Sequence, residues 1–551
     1  MKNPETETVP TSATGDMFDK LEAFLEKNRN IIMGLCLVVC TALCYALFDA
    51  RMSFATDDSE YIKMAWNLLF HGAWPTYHGT LYPVMLAGLY KMFGLKMMLF
   101  KLFSGIYLVA SVFLFYRAFR GKVPYTVLFV VLIYLSINSY FLYFSSQTYN
   151  EAFTLFLQAL AFVFFMGHIR LLATNPSLKQ SWKSWLMFGF MMLILTITKN
   201  ILIVAVGGVA LYFLIYKEWM NAVLSVLSFA VFKLPYELFV RSVFHSQTTG
   251  QLDQIMLKNF YNPAEGYEEF PGGYIDRFFT NFNNFISVQV FKVLGLRDNH
   301  LNVKAEDDAS AIISLIFAAA IVLAFIILYK RNRYLMFSLL FAVGLWFITF
   351  ASIQTVWSEQ WRLIVPYVPY FLIAFFGALW YRVKEAKQPV LKPLFIGAMT
   401  LFILVQFPRT SERVSANSMK LKHFVKGEMT YGIPDEKNNI DEQWLPFVEI
   451  CDSVTQKVPP TAHIATGKPG EAFVYSKFPN FERIPQPGKD EPADTVLAHL
   501  KKQGITHIFM DGSSIGKTVQ IIEKQYPQKL GIVMQAGPDA EHALYLIEIK
   551  Y

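Results

Sequence analysis

Two adjacent carboxylates, Asp57 and Asp58, follow a long apolar run in the segment FATDDSEYIKMAWNLLFHG. At a membrane boundary one such group can take a proton from a hydroxyl. Two together can hold a divalent cation such as Mg, Mn or Ca. The spacing also has a structural use, because Asp57 and Glu60 stand three apart, as in a capping box that opens a helix. Both uses stay open at this level. Glu151 begins another apolar run in SSQTYNEAFTLFL, where a negative charge at a helix amino terminus is favourable by itself. Lys199 lies between two apolar runs in LTITKNILIV, a position that a snorkelling lysine also occupies. Arg362 opens the run WRLIVPYVPYFLIAFF and needs a partner, either Glu359 nearby or an anionic ligand. Arg241, at the end of a further run, is a candidate of the same kind. Acids of this set could deprotonate an acceptor hydroxyl, and the cations could stabilise a departing phosphate. That combination suits transfer from a lipid phosphate.

The elements that must position these residues are membrane helices. Of the 551 residues 54% are hydrophobic and 17% charged, below the roughly 25% charge of soluble domains. Apolar runs fall at about 31–50, 95–116, 125–144, 149–169, 184–198, 200–216, 219–240, 310–329, 335–354, 362–380 and 393–408. The fold class expected is therefore a polytopic α-helical membrane protein of about eleven spans. The net charge of +7 sits mostly in the loops between runs, which argues against nucleic acid as a partner and for orientation in a bilayer. Alternate loops carry Arg117, Arg120 and Lys122; Arg170, Lys179 and Lys183; Lys217; Lys330, Arg331 and Arg333; and Arg382, Lys384, Lys387 and Lys392. The opposite short loops, 145–148 and 355–361, have no Lys or Arg. This pattern predicts a bacterial-type inner (plasma) membrane protein with residues 1–30 cytoplasmic, an uncleaved first anchor, and residues 409–551 periplasmic or extracellular.

Within the membrane part, 31–408, two external segments are more than connectors. Loop 51–94 holds two amphipathic stretches, Asp58–Phe70 and Leu81–Phe93, which read as helices along the membrane surface. Loop 241–309 is aromatic-rich (FFTNFNNFISVQVF) and is expected to pack on the membrane face. In the tail, HIATG, THIFMD, KLGIVMQ and ALYLIEI read as strands, and 491–503 and 517–526 as helices, which predicts a small soluble α/β domain. Cys36, Cys40 and Cys44 share one helical face and read as packing residues, since thiolates in hydrocarbon are costly. The run GSSIGKT is not a nucleotide loop, because it has three residues where that motif needs four.

The order of these motifs resembles the GT-C glycosyltransferases, such as protein O-mannosyltransferases and aminoarabinose–lipid A transferases. The stretch DDSEYIKMAWNLLFHGAW with LYPVMLAGLYKMFG is similar to their first external loop, an acidic pair followed by an amphipathic helix. NEAFTLFLQAL resembles the entry into their fourth span, TKN their TRP break, and WRLIVPYVPYFLI their RY-L-L-P-x-L-P span. Lys199 replaces an Arg, Asn200 replaces a Pro, and Trp361-Arg362-Leu363 stands where Arg-Tyr is common. The resemblance implies an inverting transferase that uses a sugar on a polyprenyl phosphate at the external leaflet, with or without a metal. Asp57 would be the general base, Asp58 its supporter or a metal ligand, and Glu151 would orient the acceptor or a metal. Lys199, Arg362 and Arg241 would hold the donor phosphate. The acceptor is left open among protein, lipid and glycan. The alternatives are a transporter or flippase of lipid-linked sugars, and a non-catalytic envelope-assembly protein.

Overall fold

The computed structural model describes residues 17–53, 57–76, 78–173, 178–245, 255–259, 265–297, 309–357, 360–426, 444–484, 487–488, 491–513, 515–537 and 543–551. Residues 1–16, Glu359, 298–308 and the linker 427–443 lie outside that set.

Apolar sequence of sufficient length becomes helix because only an internally hydrogen-bonded backbone is stable away from water. Among the described residues nine helices are long and apolar enough to cross a membrane. They include Arg29–Ala46, Met97–Phe119, Trp219–Phe244, Ala311–Arg331 and Arg333–Ser352, and the chain is a multi-pass membrane protein. Two of the eleven expected spans differ from the rest. The run at 125–144 is two pieces, Tyr125–Ile137 and Ser139–Ser146, bent by 48°. The cause is Asn138, whose backbone is extended and whose Oδ1 accepts from the Tyr140 and Phe141 amides while its Nδ2 donates to Val293 O and Gln406 Oε1. The run at 200–216 is an apolar helix, Asn200–Ile215, that is shorter than the nine. Polar caps set other boundaries: Asn332 accepts from the Tyr334 and Leu335 amides to open Arg333–Ser352, and Ser310 caps Ala311–Arg331. Cys36, Cys40 and Cys44 are all buried.

Both amphipathic stretches of the first loop are helices, Asp57–His71 and Leu81–Phe93, and they pack on each other. Part of the 241–309 loop is the helix Gly272–Asn284, which lies against the bundle. Phe278 and Phe282 meet Phe347 and Phe350, and Asn281 Nδ2 donates to the Phe350 and Ile353 carbonyls.

The tail is an α/β domain built on a five-stranded sheet of order β2-β1-β3-β5-β4. The strands are β1 (Ile464–Ala465), β2 (Phe481–Glu482), β3 (His507–Met510), β4 (Leu530–Ala536) and β5 (Leu544–Ile549). The first three run parallel, and β5 is antiparallel to both β3 and β4. Four strands were expected; β2, with only two residues, leaves no periodicity to read. Helices Ala493–Lys502 and Gly516–Gln525 fall where the sequence places them.

This domain rests on the Asp57–His71 helix. Gly470 comes so close that a Cβ there would lie 2.8 Å from the Glu60 amide. Lys63 Nζ donates to the Pro479 carbonyl, Tyr475 Oη donates to Ser53 O at 3.3 Å, and Phe473 packs on Trp66. Arg483 pairs with Glu60 at 3.3 Å. Buried in the same contact is Glu471, whose Oε2 has no hydrogen-bond partner among the described residues. Burial first, and then the neighbouring charges of Glu60 and Asp58, push its carboxyl up to about 8. Burial pushes Glu60 up as well.

A carboxyl raised on folding contributes stability that is complete below its unfolded pKa, about 4.5, and is lost as pH rises through about 8. Tail docking is therefore expected to loosen between pH 5 and pH 8.5, and Glu471→Gln to remove most of that dependence. Hydrogen exchange of residues 444–551 at the two pH values measures it. Equal protection in the wild type at both would show that Glu471 is not buried as a neutral acid.

Candidate functional site

The site assembles where three chain breaks meet. After Thr198 the backbone of Lys199 is extended, so the helix Leu178–Thr198 ends with its carbonyls open. Asn150, at the start of the preceding helix, fills one of them: its Nδ2 donates to Thr198 O at 2.6 Å. The loop before Leu81 closes on the same point. Thr80 N donates to Ile197 O, and Gly79, at φ +100°, lies so near that a Cβ would sit 2.2 Å from Thr198 O. Only glycine tolerates both conditions. This closure turns His78, itself at φ +58°, toward Asp57.

A fourth break supplies Arg362. Pro366 and Pro369 lack amide protons, so WRLIVPYVP forms 3₁₀ turns, Trp361–Leu363 and Val365–Tyr367, before the regular helix Val368–Lys384 begins. Trp361 packs against Tyr140, Tyr143 and Phe144, which fixes the turn.

Arg362 Nη2 donates to Asp57 Oδ2 at 2.5 Å, and its guanidinium lies over the Tyr149 ring at 5.2 Å. The partner required by Arg362 is thus Asp57, 305 positions away in the chain. On the other side of Asp57, His78 Nε2 stands 3.8 Å from Oδ1. Lys199 Nζ approaches Glu151 Oε1 at 3.5 Å. Glu151 Oε2 and the Tyr367 hydroxyl are buried without hydrogen-bond partners among the described residues. A buried carboxyl oxygen left open in this way is suited to receive a polar ligand. Burial raises the Asp57 carboxyl, yet Arg362 above all, with His78 and Lys199, holds it below the usual carboxylate range. Burial lowers His78 to about 4, assisted by Arg362 and Lys199, so its imidazole is neutral at pH 7.

Of the six residues singled out by sequence, four converge here: Asp57, Glu151, Lys199 and Arg362. Asp58 does not. It is fully buried, accepts from Ser53 Oγ at 3.1 Å, and lies within electrostatic reach of the buried Lys101, whose Nζ donates to Asp49 O. Its own carbonyl accepts from Thr148 Oγ1. Arg241 is exposed on the last turn of Trp219–Phe244, with no ion pair or hydrogen bond to the cluster. Glu60 turns to Arg483 and the Gly470 region, while Asp57 turns to Arg362. His78 and Tyr149 were not foreseen. The YHGT run did carry a signal, a glycine directly after a histidine between two helices.

A divalent cation bridging Asp57 and Asp58 does not fit these residues. Asp58 faces Ser53, and Asp57 shares its surroundings with a guanidinium and an ammonium group. Among the described residues no three His, Cys, Asp or Glu side chains converge to hold a metal.

No protein-family model matches the chain, and no curated protein sequence matches it. Among solved structures, it is similar to an oligosaccharyltransferase from Archaeoglobus fulgidus crystallised with zinc and sulfate. The identity is 12%, the TM-score 0.48, and the match covers 86% of this chain and 67% of that one.

Lys199→Ala leaves Glu151 buried without its cation, and is expected to cost about 3 kcal/mol of stability, since breaking one half of a buried pair strands the other. Adding Glu151→Gln should recover most of that stability without recovering activity. Thermal unfolding in detergent checks this; a double variant as unstable as Lys199→Ala alone would mean that the two residues are not coupled.

Proposed function

We propose that the chain is a membrane glycosyltransferase that moves a sugar from a polyprenyl phosphate to an acceptor hydroxyl. The observation that carries this reading is the Asp57–Arg362 pair, a half-buried carboxylate and guanidinium with Lys199 close by. Arg362 and Lys199 together can take a donor phosphate, Arg362 in two hydrogen bonds and Lys199 as a point charge. A phosphate arriving there competes with Asp57 for Arg362. Asp57 then loses its strongest neutralising partner, and its basicity rises when the acceptor needs it.

In that step the acceptor oxygen bonds to the anomeric carbon as the bond from that carbon to the phosphate oxygen breaks. The acceptor proton passes to Asp57, and the departing phosphate keeps the electron pair between Arg362 and Lys199. Glu151 Oε2 can accept a hydrogen bond from the acceptor or the sugar, and His78 lies beside Asp57. Asp58 positions the Asp57–His71 helix through Ser53 and Thr148. The acceptor class, whether protein, lipid or glycan, stays open in this reading. The Lys and Arg distribution along the loops supports a site on the periplasmic or extracellular side.

The placement of the charges favours chemistry over transport. Glu151 lies in the first turn of its helix, Lys199 at a helix break, and Arg362 in a turn ahead of its helix. All stand at element ends that the loop-charge pattern puts at one edge of the membrane, whereas transporters bind their cargo near the bilayer midplane.

A donor screen tests the reading. Protein in lipid nanodiscs is offered a panel of polyprenyl-phosphate sugars, and Asp57→Asn is expected to lower turnover at least a hundredfold with insertion intact. A variant that turns over normally would remove the base assignment. If the wild type consumes no donor, the transferase reading itself falls. The pH profile gives a second check. Asp57 is held down chiefly by Arg362, so Arg362→Gln should raise its pKa and move the acid limb of kcat/KM to higher pH. A limb that stays in place would separate Asp57 from the titrating group.

A further inference from the structure

A second polar cavity lies at the opposite end of the bundle from Asp57. Arg362 and Lys384 stand at the two ends of one nearly continuous helical segment, about 30 Å apart by helical rise. That distance matches the thickness of a bilayer core. At the Lys384 end, the loop 121–124 meets the carboxy-terminal ends of Ala311–Arg331 and Val368–Lys384 around a cavity of about 850 Å³.

Its wall is basic and aromatic. Lys122, Lys330, Arg331 and Lys384 face two acids, Glu26 and Glu385, and Trp380, Tyr381 and Tyr125 complete the lining. Arg331 is paired with Glu385 at 2.9 Å, and Lys384 with Asp19 at 3.2 Å. Lys122 uses one donor on the Ala118 carbonyl. Lys330 has no ion pair among the described residues. Burial and the neighbouring Arg117 hold Lys122 below the usual lysine range, so an anion beside it would be welcome. Both helices that end here also end in their own carbonyl dipoles, which basic side chains partly offset.

We propose that this cavity binds the phosphate headgroup of an anionic glycerophospholipid. The membrane position decides for a lipid. The cavity opens beside Ala311–Arg331, whose Ile316, Val322, Leu323 and Ile326 present exposed apolar surface on which acyl chains can lie. Tryptophan and tyrosine in the wall mark headgroup depth, and a basic pocket between membrane helices at that depth suits an acidic headgroup. The site is separate from the Asp57 cluster and does not depend on the transferase reading.

Native mass spectrometry of the full chain, released from micelles containing equal phosphatidylglycerol and phosphatidylcholine, tests the proposal. The wild type should retain phosphatidylglycerol selectively. Removing two cations in Lys122→Gln/Lys330→Gln should weaken that retention roughly thirtyfold. Glu385→Gln, which frees Arg331 and deletes an acid, should strengthen it, so the idea is decided even if the double variant does not fold. No lipid preference in the wild type, or retention unchanged in the variants, overturns the site. If millimolar inorganic phosphate alone binds and displaces the lipid completely, the cavity takes free phosphate and the lipid assignment is wrong.

Discussion

The ion pair between Asp57 and Arg362 joins the two parts of the chain that otherwise have least reason to meet. One partner opens an amphipathic helix in the first loop; the other sits in a 3₁₀ turn 305 residues later. Both charges are partly withdrawn from water, where an unpaired ion is disfavoured. Each is neutralised by the other, and Tyr149 spreads further contact over the guanidinium face. The pair therefore holds the loop helix onto the bundle and at the same time keeps two reactive groups in one place.

The surrounding breaks exist to make that contact. Gly79 against Thr198, the extended Lys199 and the prolines at 366 and 369 each end regular helix where a polar side chain must project. Continuous helices would bury their polar side chains in the bundle or send them to lipid. The cost is open backbone, and the structure meets it locally, with Asn150 on Thr198 and Thr80 on Ile197.

Hydrophobic length made the spans legible, because a bilayer demands about 20 apolar residues whatever the fold. It failed at Asn138, where one polar side chain both bends the run and caps the next turn, and at β2, too short for any period. Charge against the prevailing loop pattern marked Arg362, and charges at run boundaries marked Glu151 and Lys199. What sequence could not supply was pairing. The nearby candidate Glu359 looked as good a partner for Arg362 as any, and nothing local to Asp57 names a residue 305 positions away. His78 was hidden for a similar reason: its role follows from the positive φ of His78 and Gly79, which the letters do not show.

The acidic doublet shows how adjacency in sequence misleads. Successive residues on an α-helix are turned by about 100°, so neighbours in the chain face different surroundings. Asp57 faces Arg362, Asp58 faces Ser53, and Glu60 faces the tail at Arg483. Three carboxylates diverging in this way are poorly placed to chelate one ion but well placed to divide labour. Asp57 meets the guanidinium of Arg362, Asp58 anchors the helix to the bundle, and Glu60 receives the tail. Because the helix is a single rigid element, a shift at Glu60 is transmitted to Asp57 over one turn, a rise of about 5 Å. The tail grips that same helix, at Lys63 through Pro479 and, about one turn from Asp57, at Glu60 through Arg483.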